Sequence, residues 1–163
     1  MEKALIGSTD DVLIGAFRPH GRVDIRIENS IIYSDAYGPF NIELVHALVR
    51  IQHQLAAQGN ITGPLGEVIR ISDSALAGRN VVDILTKALE RMRQEGRSRV
   101  GAAFLIGPEV EGISIMLPTI LSRYTEAGIP NRVFEKMEDA ESWIRSLLDA
   151  AREQAPSARA VSD

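Results

Sequence analysis

Three groups of side chains in this sequence have the types and spacing to do chemistry. Ser72-Asp73-Ser74, ahead of Gly78 and Asn80, could take a phosphate, because free N–H groups and the positive dipole end at a helix N-terminus stabilise an anion. The plainer reading is that Ser and Asp satisfy the backbone of their own loop. Arg91, Arg93, Arg97 and Arg99 gather around Gly96, either as a patch for a phosphate or an acidic partner or simply as the cations a helix C-terminus favours. His46 and His53 share a helix face with Glu43 and Arg50, but residues seven apart are separated by about 10 Å of helix rise, too far to share one metal ion. That face reads as a solvated one. His20 sits in a loop beside Pro19 and Gly21 and is equally open to either reading.

Composition narrows the chemistry further. The 163 residues include no cysteine, which excludes disulfides, thiolate metal sites, iron–sulfur clusters and cysteine nucleophiles. With 18 Lys+Arg against 22 Asp+Glu the net charge is −4, and such a field repels nucleic acid. Glu109 and Glu111 form a carboxylate pair with no nucleophile or base beside them. Neither Gly-x-x-x-x-Gly-Lys nor Gly-x-Gly-x-x-Gly occurs. These observations predict a non-catalytic protein without cofactor or metal. The apolar runs are too short for a signal peptide or a membrane span, which predicts a cytoplasmic location.

The elements that position these residues follow from periodicity. Val23-Asp24-Ile25-Arg26-Ile27-Glu28 alternates strictly, and Asn29-Ser30 turns it into Ile31-Ile32-Tyr33, a hairpin. A further short strand is read over residues 12–17. Asn41 caps a helix whose Leu44, Leu48, Ile51 and Leu55 form an apolar stripe, closed by Gly59-Asn60. Val68-Ile69-Arg70-Ile71 is a strand. Asn80 is read as the start of a second helix with Val81, Leu85, Ala88 and Met92 inward, closed by Gly96. Residues 100–106 read as a strand buried on both faces, its small residues admitting a closely packed helix. A third helix carries Ile113, Met116, Ile120, Leu121 and Tyr124, and Pro118 predicts that it starts late or kinks. Arg132-Val133-Phe134 is the last strand, and a helix over 138–153 follows. Helices between strands imply parallel pairing, hence an α/β fold with a mixed, largely parallel sheet and helices packed on it. The domain is read as residues 22–154, with 1–21 an N-terminal extension and 155–163 a disordered tail. A pocket is expected beyond the C-terminal ends of the strands, at residues 72–78 and at Gly107-Pro108-Glu109-Val110-Glu111-Gly112.

This element order, with three local phrases, resembles the SpoIIAA-like fold of STAS domains and STAS/SEC14-type proteins. The phrases are Tyr37-Gly38-Pro39-Phe40-Asn41 running into its helix, Ile69-Arg70-Ile71-Ser72-Asp73-Ser74-Ala75-Leu76-Ala77-Gly78, and the closing Gly128-Ile129-Pro130-Asn131-Arg132-Val133-Phe134 with Ala140-Glu141-Ser142-Trp143. The resemblance spans residues 22–148. It implies a bacterial regulatory module acting by protein–protein contact through residues 72–80. In the anti-sigma-factor antagonists of that family a loop serine is phosphorylated, and Asp73 and Ser74 are the matching pair. Here Ala75 stands where a second small polar residue is common, and Gly78 arrives later. SEC14-type relatives imply the alternative, a small apolar or lipid ligand, with Tyr124, Met116 and Phe104 as walls. Self-association is a third reading, since Gly101-Ala102-Ala103 and the short final strand leave an edge open to pairing.

Overall fold

A computed structural model describes residues 4–12, 15 and 17–155. The chain runs β1 (Leu5–Ser8), a single 3-10 turn (Thr9–Asp11), β2 (Arg22–Glu28), β3 (Ile31–Tyr37), α1 (Ile42–Gln58), β4 (Gly66–Ser72), α2 (Arg79–Gln94), β5 (Ala102–Ile106), α3 (Ile113–Glu126), β6 (Asn131–Phe134) and α4 (Met137–Gln154). The six strands form one sheet in chain order. β1, β2 and β3 pair antiparallel, and β3 to β6 pair parallel, as helical crossovers require. The mixed, largely parallel α/β architecture is therefore as expected.

Local chemistry explains most boundaries. Asn29 and Ser30 both take positive φ, 52° and 64°, the two-residue turn whose twist matches antiparallel strands. Asn41 Oδ1 accepts the Leu44 N–H at 3.1 Å and the His20 N–H at 2.9 Å, so one side chain caps α1 and pins the preceding loop. α2 starts earlier than its Asn80 suggested. Gly78 is the N-cap, its carbonyl accepting the Val81 and Val82 N–H groups, while Asn80 Oδ1 accepts only from Val81 N. At the other end Gly96, at φ +67°, lets Arg97 N bond back to Met92 O at 2.8 Å, the left-handed closure that turns the chain inward toward β5. α3 begins five residues before Pro118 and runs through it, so it does not start late.

Alternation along the strands sorts the core into two layers. Ile25, Ile32, Ala36 and Ile71 pack beneath α1 to α3, as do Ala102 and Phe104 farther along. Ile31, Tyr33, Val68, Ala103 and Leu105 pack on the other face beneath Ala140, Ile144 and Leu148 of α4. β5 is thus buried on both faces, and the small residues do admit a helix. A Cβ on Gly101 would stand 2.5 Å from Leu147 Cδ1 of α4. β1 and β6 are the sheet edges.

Within the N-terminal extension the structure shows a strand at Leu5–Ser8, paired with β2, a segment for which no strand was read. Val12 is an extended cap to the 3-10 turn, and residues 13, 14 and 16 lie outside the described residues. Buried Thr9 ties this segment to the sheet by accepting the Val23 N–H at 2.9 Å. Residues 156–163, read as tail, also lie outside the described residues.

Candidate functional site

The C-terminal edge of the parallel strands, where a pocket was expected, is laced shut by its own backbone. Phe40 pairs with Ala77 and Ser74 with Glu111 in parallel bridges. Phe40 N donates to Leu76 O, Ala75 N to Glu111 O and Glu111 N to Asp73 O. Sheet-type hydrogen bonding continues through loops 38–41, 73–78 and 107–112, leaving their side chains to pack or to face solvent. Ser74 is 3% exposed, and its Oγ accepts the Leu76 N–H at 3.2 Å, so this hydroxyl serves its own loop and is not presented to a kinase. Ser72 is half-buried, while Asp73, Gly78, Asn80, Glu109 and Glu111 are exposed.

A cavity of about 1300 Å3 opens instead at the opposite edge, between α1 and α2. Val45, Leu48, Val49 and Ala56 of α1 face Ile84, Leu85, Ala88 and Met92 of α2 across it, with Ile61 and Leu65 closing one end. Leu85, Ala88 and Met92, the stripe that periodicity assigns to the core, are only half-buried. Leu85 and Met92 pack in part against the Phe104–Tyr124 cluster and in part line the cavity, which Ala88 lines with them. Tyr124 lines the cavity, but Met116 and Phe104, the other two expected wall residues, pack inside the core.

The floor is polar. Glu67 of β4, 5% exposed, and Arg99, 9% exposed, lie 3.8 Å apart, with Gln52 of α1 donating to Glu67 Oε1 at 3.4 Å and accepting from Arg99 Nη2 at 3.3 Å. Glu67 Oε2 and Arg99 Nε have no hydrogen-bond partner. Burial, and then the Glu67 charge, push the Tyr124 phenol well above its ordinary pKa. Sequence reasoning missed Glu67 and Gln52. The available signal was alternation, since Glu67 lies two residues before Ile69 and four before Ile71, a carboxylate on the face that α1 to α3 cover.

The four arginines do not form one patch. Arg99 is buried on Glu67, Arg93 lies 4.0 Å from Glu90, and Arg91 and Arg97 both grip Glu95. Hydrogen bonds from Arg97 and then Arg91 hold the Glu95 carboxyl at about 2. Arg97 Nη1 also lies 2.9 Å from His53 Nε2, bridging the loop before β5 to α1. His46, Arg50 and His53 line the cavity, so the face read as merely solvated is its rim. Among the described residues no group of three or more His, Asp or Glu could hold a metal ion.

Burial, reinforced by Arg97, lowers the His53 pKa. A proton NMR titration should therefore place His53 below its ordinary 6.5, and Arg97→Gln should move it only part of the way back, because burial is the larger cause. A folded pKa below the unfolded one contributes stability above the unfolded value that is lost as pH falls through the folded one. At this exposed site the effect on stability is small. A His53 midpoint at or above 6.5 would contradict the bridge.

Against protein-family models and against curated protein sequences, the chain matches none. Among the described residues no helix is long and apolar enough to cross a membrane.

Proposed function

We propose that this domain is a STAS/SEC14-like binding module that holds a small amphipathic molecule in the cleft between α1 and α2. The observation that carries this reading is the pair of half-buried apolar helix faces looking at each other across about 1300 Å3. Ligand cavities generally span about 300–1,000 Å3, with apolar walls and a few convergent polar groups, and this cleft has both. The element order supports the family reading, and with it a cytoplasmic place and a protein partner that senses occupancy.

A specific observation also favours the protein-contact reading of residues 72–80. Leu76, 38% exposed, sits against Gly112, and Ile115, 72% exposed, follows on α3. Apolar side chains on an otherwise polar rim suit a partner. With Ser74 buried, Ser72 is the hydroxyl such regulation would use.

One preparation tests both readings. Protein taken from its own cell is measured by native and then denaturing mass spectrometry. A small molecule released on denaturation supports the cleft reading, and a phosphate located at Ser72 supports the second. A bare chain whose melting temperature no amphiphile shifts would sink the first, and an unmodified Ser72 counts against phospho-regulation.

A further inference from the structure

We infer that the mouth of the cleft selects its ligand by charge, taking an amphiphile with an anionic head, a carboxylate or a phosphate ester on one apolar chain, between cations of α1 and α2. This inference rests on the cleft reading and names its ligand class. Five lining residues are Arg or Lys, namely Arg50, Lys87, Arg91, Arg97 and Arg99, against one carboxylate, Glu67. Arg99 and Glu67 are buried and neutralise each other, so the other four set the sign of the mouth. All four are exposed. They come from both sides of the opening: Arg50 from α1, Lys87 and Arg91 from α2, and Arg97 from the loop before β5, reaching across to His53 of α1.

The acids of the two helices lie elsewhere, since Glu43, Asp83 and Glu90 do not line the cavity. Glu95 carries a single charge and holds both Arg91 and Arg97, so a positive charge is left over between the two arginines. Lys87 has no ion pair among the described residues. The chain as a whole carries −4, which makes the mouth a local reversal of its field. An anionic head set among exposed cations keeps much of its hydration, and so escapes the desolvation cost of a buried charge. An ammonium head would meet an excess of like charge there, and an alcohol would gain no Coulomb attraction. The hydrocarbon would lie inward, between Leu48 and Val49 on one side and Leu85, Ala88 and Met92 on the other.

The test is a calorimetric titration of the full chain with a matched decyl series: decanoate, monodecyl phosphate, decan-1-ol and decylammonium. Both anions should bind about tenfold tighter than the alcohol, the combined worth of a few exposed charge contacts, and decylammonium should bind most weakly. In Lys87→Gln/Arg91→Gln the preference for the anions should fall to about threefold or less, while the alcohol binds as it does to the wild type. Arg132→Gln/Lys136→Gln, which removes the same charge from β6 and the start of α4, should leave the preference intact. In about 1 M salt, where the screening length is about 3 Å, the wild type should lose most of the preference as well. Equal affinity across the series, tightest binding of decan-1-ol or decylammonium, or equal loss of preference in both double variants would overturn the inference and leave the cleft reading standing. An anion preference unmoved by both salt and Lys87→Gln/Arg91→Gln would do the same. No binding by any member would overturn both.

Discussion

Arg99→Met is expected to cost the fold about 3–5 kcal/mol, because it leaves the Glu67 carboxylate buried with only Gln52 beside it. Both side chains of the pair are almost fully withdrawn from water, at 7% and 6% exposed. Coulomb attraction and desolvation nearly cancel while both are present, so the loss of one partner exposes the whole desolvation cost of the other. Glu67→Leu/Arg99→Met removes both charges and should recover most of that loss, finishing within about 2 kcal/mol of the wild type, since apolar replacements of buried ion pairs are often neutral. Urea unfolding at neutral pH of the wild type, both single variants and the double variant closes the cycle. If Arg99→Met cost only about 1 kcal/mol or less, as for a surface pair, the Glu67–Arg99 pair would be solvated and not withdrawn from water.

How much of this was legible in advance depended on how local the determinants are. The hairpin at Asn29-Ser30, the Asn41 cap and the glycine closure at Gly96 are set by residues within a few positions of each other, and all were readable. β3 runs on to Tyr37 through Ser34 and Asp35, where no apolar alternation marks it; this strand owes its length to pairing with β2 and β4 on either side. The cleft was not readable for a sharper reason. Periodicity reports that Leu85, Ala88 and Met92 are apolar and share a face, but not whether another element fills the space opposite. Arg99 shows the same limit. Close behind a helix end it reads as a dipole partner, yet the left-handed turn at Gly96 carries the chain inward and sets its guanidinium on a carboxylate from β4. The expectation of a pocket at the C-terminal ends of the strands failed because loops 38–41, 73–78 and 107–112 bond to one another.

The second large effect concerns the cleft itself. Ala88 projects from α2 into the cavity. A tryptophan there would occupy the space a ligand chain needs without displacing packed neighbours, so overpacking is not expected to destabilise the fold. The most direct measurement is the binding isotherm of the amphiphile that most raises the melting temperature, taken to wild type, to Ala88→Trp and to Ala150→Trp, which places the same bulk at an exposed position on α4. The account predicts that Ala88→Trp weakens binding about 100-fold or more, while Ala150→Trp binds as the wild type does and all three unfold at the same urea concentration. Undiminished binding to Ala88→Trp, or equal loss in both variants, would contradict the cleft between α1 and α2 as the place where this protein holds its ligand.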